Sequence, residues 1–303
     1  MRFRWSQTSE TDSHDIHGKP SGWKYAIVME AAERSLHSAC ASERIAAYEV
    51  DRVLWIFREV ARRVQTLHAS GLVHGDLKQR NILRVDTGRR YKKWILCDGD
   101  ACARVGKPVG YKSSSGYAPP ELARVKFSTC GGRQLAQAAP SFDVWSLGVI
   151  LFELCAGRTL FNQDTSNDEL VDTQDRARLC CWDTMTDEEL APVFDEPGTT
   201  DEDPNVVIKA KDLIRWCLKG SPGDRPTLPQ ILNHPLLTTV RVISAMYRWT
   251  LCSAEALVCV DVQGAYVKRF EPTCRPLEPG AEISLRPMRY HGFMSHAQVN
   301  LYL

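Results

Sequence analysis

Apolar and polar residues alternate along the chain with a period that predicts mainly helices. In the segment 48–71, apolar side chains recur every three or four positions and a glycine follows, which predicts a helix buried on one face. The segment 142–157 is apolar almost throughout and also ends in glycine, as a helix in the core would. Two further helices, an amphipathic one and a short one, are predicted at 206–220 and 228–237.

Short apolar runs bounded by turn residues predict strands. One strand is expected at 25–30, and two more at 81–85 and 91–98 are joined through Asp-Thr-Gly, which suits a tight connection. The segment 161–205 is acidic and has few apolar residues, so we expect a surface insertion around short helices and not a part of the core. Residues 1–24 are polar and predict a disordered or loop-like tail.

Composition narrows the class of protein. The chain has 303 residues, of which 44% are hydrophobic and 25% charged, as in a soluble globular protein with one large or two modest domains. A formal net charge of +1 favours neither nucleic acid nor a membrane surface as a partner. No apolar run approaches the ~20 residues of a membrane span, and the start is too polar for a signal peptide. The 11 cysteines lack C-x-x-C spacing and indicate reduced thiols, so we expect a cytoplasmic protein.

The stretch LVHGDLKQRNILRV, at 72–85, places chemically active residues in a short loop between two apolar runs. Asp76 offers a carboxylate, Lys78 a cation and Asn81 an amide within six positions, and Asp98 closes the strand that follows. Taken singly they are ordinary, because an aspartate in a loop usually forms a turn, a lysine is solvated and an asparagine caps a turn. Together they supply the base, the cation and the oxygen ligands for Mg²⁺ that phosphoryl transfer needs.

These motifs resemble the C-terminal lobe of a protein kinase. HGDLKQRN resembles the catalytic loop H-R-D-L-x-x-x-N, which implies Asp76 as the catalytic base and Asn81 as a metal ligand. DGD stands where D-F-G is expected, which implies that Asp98 holds Mg²⁺. Lys78, two positions after the base, resembles the serine/threonine-directed class. Ser114 stands where the family places a serine or threonine that touches the base.

Later motifs fit the same resemblance and imply supporting roles. PPE at 119–121 stands where A-P-E is expected and DRP contains Arg225, so the resemblance implies a buried ion pair between Glu121 and Arg225. DVWSLG implies that Asp143 braces the catalytic loop, while a helix N-cap is the simpler role for this aspartate. His74 is expected to be a core histidine beneath the loop.

YAIVMEAAERSL resembles the fifth strand and the hinge, where the family binds the adenine of ATP. The resemblance implies Met29 as a gatekeeper-like residue and adenine contacts from the backbone of Glu30 and Ala32. Leu83 would then pack beneath the adenine ring. The implied cofactors are ATP and Mg²⁺, and the implied partner is a protein substrate with a Ser or Thr.

The implied fold is mainly α: a kinase-like C-terminal lobe at 25–237, built as a helical bundle with short β-hairpins. No G-x-G-x-x-G loop or V-A-I-K lysine precedes the hinge, and residues 1–24 are fewer than the roughly 40 that five strands and a helix need. We therefore expect the N-terminal β lobe to be missing or reduced to the hinge strand, and the chain to be a fragment of a kinase.

The HGD and DGD motifs depart from the family pattern at three positions. Gly75 replaces the arginine that docks a phosphorylated activation loop, so we expect any activity to be independent of loop phosphorylation. Gly99 replaces the phenylalanine of D-F-G, whose packing helps to set the active state. Asp100 adds a carboxylate, which is either a solvent-facing turn residue or a further Mg²⁺ contact.

Two interpretations of the function stay open. The first is a protein serine/threonine kinase, which transfers the γ-phosphoryl group of ATP to a hydroxyl group. The alternative is a pseudokinase or signalling scaffold that binds a partner through the uncovered face of the lobe.

Residues 238–303 are expected to form a linker and a C-terminal segment, in which YHGFMSHAQ at 290–298 is similar to the opening strand and loop of TIR-type signalling domains. A stray strand after the linker is the simpler interpretation of that stretch.

Overall fold

The computed structural model describes residues 31–86, 92–110, 112–127, 135–164, 166–195 and 205–238, together with the backbone of four outlying strands. Helices dominate these residues, as the hydrophobic pattern predicts. Within the described residues the helices are α1 (Leu36–Glu43), α2 (Val50–Ala69), α3 (Pro120–Phe127), α4 (Pro140–Ala156), α5 (Thr173–Cys180), α6 (Asn205–Cys217), α7 (Leu228–Leu232) and α8 (Pro235–Thr238). None of them is both long and apolar enough to span a membrane.

The described strands are short and pair in small antiparallel sheets. They are β1 (Arg4–Gln7), β2 (Tyr25–Val28), β3 (Arg34–Ser35), β4 (Leu72–Val73), β5 (Ile82–Asp86), β6 (Lys92–Leu96), β7 (Ala103–Arg104), β8 (Gln163–Asp164), β9 (Glu169–Leu170), β10 (Leu257–Val260) and β11 (Val267–Phe270). One sheet has three strands in the order β3-β5-β6, and the others are the pairs β1-β2, β4-β7, β8-β9 and β10-β11. The strands predicted at 25–30, 81–85 and 91–98 therefore form, as β2, β5 and β6.

The core is organised around α4. This helix begins at Pro140, whose ring suits the first helical turn, and ends where Gly157 adopts a left-handed backbone with φ of 68°. Its side chains are buried on every side, including Trp145 and Ile150, which explains why the sequence is apolar almost throughout. In contrast, α2 buries one face against the core, as its helical spacing predicts.

The prediction that the acidic segment 161–205 lies outside the core is wrong for its described residues. The main hydrophobic core includes Phe161, Leu170, Leu179, Trp182, Met185, Leu190, Val193 and Phe194. The indole ring of Trp182 contacts that of Trp145 edge-on with centroids 5.4 Å apart, and its Nε1 donates to the Leu218 carbonyl at 2.8 Å. The acidic side chains are mostly exposed or cap helices, as Asp172 caps α5. The average composition of this segment therefore failed to predict that a few large, widely spaced apolar residues pack in the core.

The prediction of a wholly loop-like tail at 1–24 also needs correction, because β1 lies within it. This strand pairs antiparallel with β2, with Arg4 opposite Val28. Backbone hydrogen bonds hold such a pair without the apolar alternation that marks a half-buried strand, so the polar sequence gave no signal. The remainder of that segment and YHGFMSHAQ lie outside the described residues. A missing or reduced β lobe remains a prediction.

A buried ion pair joins α3 to the turn before α7. The guanidinium of Arg225 donates to both carboxylate oxygens of Glu121 at 2.7 Å, and the Arg225 side chain is 0% exposed. It also donates to the carbonyl oxygens of Ser141, Lys219 and Gly220. The same group lies 5.1 Å above the ring centre of Trp145. A buried arginine is tolerated when its donors are satisfied in this way. The contacts hold α3 and α4 against the turn before α7.

Candidate active site

Asp143 on α4 fixes the loop between β4 and β5. Its side chain is buried, and its Oδ2 and Oδ1 accept hydrogen bonds from the backbone N–H groups of His74 at 2.8 Å and Gly75 at 3.0 Å. Oδ2 also lies 2.8 Å from Nε2 of His68 at the end of α2. The helix N-cap is Ala139, so Asp143 is inside the first turn and is not the cap. The loop is therefore pinned to the central core helix.

His74 joins this loop to the end of β6. The residue is 2% exposed, as expected of a core histidine, and its Nε2 lies 3.0 Å from the carbonyl oxygen of Cys97. Cys97 directly precedes Asp98 in the chain. The loop with Asp76 and the strand end with Asp98 are therefore held at a fixed separation by this partly buried contact.

The structure brings Asp76, Lys78, Asn81 and Ser114 together. Oδ1 of Asp76 accepts a hydrogen bond from the backbone N–H of Ser114 at 2.8 Å. The ammonium of Lys78 donates to Oγ of Ser114 at 2.7 Å and lies 3.6 Å from Oδ2 of Asp76. Nδ2 of Asn81 donates to the Asp76 carbonyl at 2.9 Å. Oδ1 of Asp76 is thus fixed by Ser114, while Oδ2 lies beside the Lys78 ammonium and accepts a hydrogen bond from Nδ2 of Asn81 at 3.4 Å.

Asp98 lines a cleft with a volume of about 270 Å³. Asp76 and Ser114 line the same cleft. The backbone of Asp98 is left-handed, with φ of 62°, a conformation that aspartate adopts more readily than most residues. Its carboxylate is exposed and accepts no hydrogen bond from the described residues. Since Nδ2 of Asn81 is used by the loop, the amide oxygen is the atom left for a cation. A carboxylate and an amide oxygen suit Mg²⁺, which keeps its remaining positions for water and phosphate.

The extra carboxylate of the DGD motif is exposed at the cleft, whose lining also includes Asp100 and Lys112. Asp100 lies in a short 3-10 helix at Gly99–Ala101, and its Oδ2 accepts a hydrogen bond from Nζ of Lys112 at 2.9 Å. The side chains of this pair are 70% and 74% exposed. This geometry favours the solvent-facing turn residue over a further Mg²⁺ contact.

Of the four residues predicted to contact adenine, Met29 and Glu30 lie outside the described residues. Ala32 is exposed, and Leu83 is half-buried on β5, opposite Ser35 of β3. The structure therefore places Leu83 next to the segment that follows Ala32 and leaves the rest of the adenine prediction open to experiment.

Arg84, which the sequence analysis did not identify, fastens that segment to β5. Its Nε and Nη2 donate to the carboxylate oxygens of Glu33 at 3.1 Å, and Nη2 also donates to Oε1 of Glu43 at 2.6 Å. The hydrogen bond from Arg84 lowers the pKa of Glu43 to about 2, despite partial burial. The backbone N–H of Glu33 completes the attachment by donating to the Arg84 carbonyl at 2.8 Å.

Two further acidic residues reach the loop from far along the chain. Glu153 of α4 is buried and accepts hydrogen bonds from Nε2 of Gln79 at 2.7 Å and from the Tyr117 hydroxyl at 2.6 Å. Burial raises the pKa of Glu153 to about 7. Asp168, in the turn between β8 and β9, lies 3.2 Å from Nζ of Lys78. The sequence could have indicated Glu153, because it is an acidic residue inside an apolar helix. It could not have indicated Asp168, which is one of many acidic residues in its segment.

Comparisons with known proteins identify the family of this chain. A sequence model of the protein kinase domain matches residues 19–237, so the chain belongs to the protein kinase family. It is 32% identical over 228 residues to the TBC domain-containing protein kinase-like protein of Homo sapiens, covering 72% of this chain and 24% of that protein. It is also 29% identical over 215 residues to the serine/threonine-protein kinase pim-2 of Danio rerio, covering 71% of this chain and 57% of pim-2. The match with the meiosis-specific serine/threonine-protein kinase mek1 of Schizosaccharomyces pombe is 31% over 190 residues, covering 60% of this chain and 36% of mek1.

Gly75 meets a steric limit that the sequence analysis did not foresee. Its φ is +77°, and a Cβ added there would lie 2.7 Å from the carbonyl oxygen of Ala101. A side chain at this position would therefore force a shift in the turn that follows Asp98. The arginine of the family motif is excluded here by the backbone itself, in addition to being absent from the sequence.

We expect Gly75→Ala to destabilise the protein more than Gly106→Ala. Gly106 has φ of +76° but nothing within 4 Å of an added Cβ, so it reports the backbone strain alone, about 1 kcal/mol. Gly75→Ala adds the clash with Ala101 and should lower the free energy of unfolding in urea by at least about 1 kcal/mol more. Equal losses for the two variants would contradict the close approach.

We expect Glu153 to make stability fall as pH rises. Because its folded-state pKa of about 7 lies above the ordinary value of 4.5, the folded protein keeps a proton that the unfolded chain has lost. The stability is therefore fully present below the unfolded pKa and is lost as pH rises through the folded pKa, by roughly 3 kcal/mol at most.

Urea unfolding from about pH 5 to about pH 8 measures this effect. Glu153→Gln should flatten the decline, because glutamine carries no titrating proton and keeps a similar shape. Glu188→Gln, at an exposed position, serves as the matched control and should keep the wild-type slope. An unchanged slope in Glu153→Gln would show that another group titrates.

Proposed function

We propose that the chain transfers the γ-phosphoryl group of ATP to a serine or threonine hydroxyl of a protein substrate. The observation that carries this proposal is the Asp76 carboxylate, which is fixed by the Ser114 backbone and lies beside Lys78 in a cleft that Asp98 also lines. The named serine/threonine kinases among the relatives support this choice of acceptor. The chain spans about a quarter of the TBC domain-containing relative, so these activities are proposed for the described lobe.

In this proposal each residue has a separate task. Asp76 accepts the proton of the substrate hydroxyl through Oδ2, while the Ser114 N–H holds Oδ1 and so sets the orientation of the carboxylate. The Lys78 ammonium compensates the negative charge on the transferred phosphoryl group. Asn81 and Asp98 would hold Mg²⁺, which when bound offsets the charge of the phosphate oxygens.

A second candidate is a kinase-like scaffold that binds a signalling partner through the uncovered face of the lobe. It is favoured by the name of the human relative, a protein kinase-like protein, and by Gly75 and Gly99, which replace two residues of the family motifs. A scaffold has no physical need for the positioned base and lysine, which is why we place it second.

We expect Asp98→Ala to remove the binding of Mg-ATP and Asp100→Ala to preserve it. The first variant loses a proposed metal ligand, whereas the second removes an exposed carboxylate that also lines the cleft but is paired with Lys112. Thermal shift with Mg-ATP measures binding, and label transfer from γ-labelled ATP to a Ser/Thr peptide library measures chemistry. Transfer should fall at least about a hundredfold in Asp98→Ala, since a catalytic metal contributes several kcal/mol.

The same experiment separates the candidate functions. Stabilisation by Mg-ATP together with transfer supports the kinase. Stabilisation without transfer at any peptide concentration favours the scaffold. No stabilisation in the wild type would contradict a nucleotide site, and an equal loss in both variants would contradict the separate role of Asp98.

A further inference from the structure

The Lys78 ammonium has a closer carboxylate than that of Asp76. Oδ2 of Asp168 lies 3.2 Å from Nζ of Lys78, against 3.6 Å for Oδ2 of Asp76. The side chains of Lys78 and Asp168 are 13% and 5% exposed. An ion pair that is shielded to this degree is attracted more strongly than a surface pair and is screened less by salt.

The backbone holds Asp168 rigidly in place. Its carbonyl accepts a hydrogen bond from the N–H of Gly116 at 3.0 Å, and its own N–H donates to the Asp164 carbonyl at 2.8 Å. Its φ is +60°, a left-handed conformation that costs free energy and persists only where the surroundings enforce it. Nε of Arg80 donates to the other carboxylate oxygen at 3.2 Å, so both oxygens of Asp168 face cations.

Among the described residues, oxygen atoms of Ser114, Asp168 and Asp76 lie around the Lys78 ammonium, and their distances decide where its charge lies. An ammonium has three N–H donors, and here Ser114 and Asp168 lie at the two shortest distances, 2.7 and 3.2 Å. Without Asp168, the nearest carboxylate would be that of Asp76, and the ammonium would be drawn onto it. A close pair of that kind would neutralise the base.

We infer that Asp168 is a positioning residue, which holds the Lys78 ammonium between Ser114 and itself and so keeps Asp76 free to accept a proton. This inference rests on the proposed function of the site. The inference also assigns a function to the acidic segment 161–205, because the turn between β8 and β9 places Asp168 next to the catalytic loop.

The test is a double-mutant cycle on the full chain with Asp168→Asn and Lys78→Met. Asparagine keeps the shape and accepts the left-handed backbone, but it lacks the charge. We expect Asp168→Asn to lower kcat about tenfold and to leave the KM for ATP within about twofold, as for an interaction made in the transition state. In the Lys78→Met background, Asp168→Asn should lower kcat no further. Asp164→Asn is the matched control, because its side chain is exposed and accepts a hydrogen bond from the Ser166 N–H in the same turn.

Urea unfolding of the same proteins gives a readout that needs no nucleotide. If the two side chains form a pair, the midpoint shifts of the single variants should not add in the double variant. Should Asp168→Asn fail to fold, Asp168→Gly takes its place, since glycine adopts the left-handed backbone without cost.

Each outcome counts for or against a particular statement. A wild-type chain that transfers no phosphoryl group overturns the proposed function, and the inference with it. A wild type that transfers, with an Asp168→Asn variant that equals it, overturns the inference alone. An equal loss of kcat in the wild-type and Lys78→Met backgrounds, or additive midpoints, would show that Asp168 acts through the fold and not through Lys78.

Discussion

The carboxylate of Asp143 lies inside the core, where a charge is costly unless hydrogen bonds surround it. The partners that it accepts from are the backbone N–H groups of His74 and Gly75, with the ring of His68 on the same oxygen as His74. The loop must therefore stay where it can satisfy this carboxylate. Asp143 lies on the most buried helix of the described lobe, and it holds the two residues that precede Asp76. The packing of the core therefore determines the position of Asp76.

The same helix supports the site a second time. Glu153 lies ten positions after Asp143 and contacts Gln79, which is inside the loop between β4 and β5, and Tyr117, which lies just before α3. One rigid element thus fixes the loop at two points and positions the segment that carries Ser114. Preorganisation of this kind is what a phosphoryl-transfer site requires, because its catalysis depends mainly on placement and electrostatics.

Much of this arrangement was predictable from local patterns. The helical spacing of α2 and the apolar run of α4 reflect burial directly, and the loop motif brought Asp76, Lys78 and Asn81 together by sequence alone. The contact between Asp168 and Lys78 joins residues far apart in the chain, and no local property of an acidic run marks which carboxylate will be buried. The prediction from composition that 161–205 lies outside the core failed for the same reason. Single large apolar residues such as Trp182 decide burial there, whatever the average composition of the segment.

The role of Gly75 lay beyond the sequence as well, because the carbonyl of Ala101 approaches it only in the folded loop. That close approach joins the loop at Gly75 to the turn after Asp98. With this close approach in place, Asp76 and Asp98 line one cleft.

The most direct test of the account is a single-turnover measurement of phosphoryl transfer from Mg-ATP to a serine peptide, by the wild type and by Asp76→Asn. The account predicts that Asp76→Asn binds Mg-ATP within about twofold of the wild type and transfers at least about a hundredfold more slowly, as expected for loss of a general base. Equal transfer rates for the two proteins would contradict it.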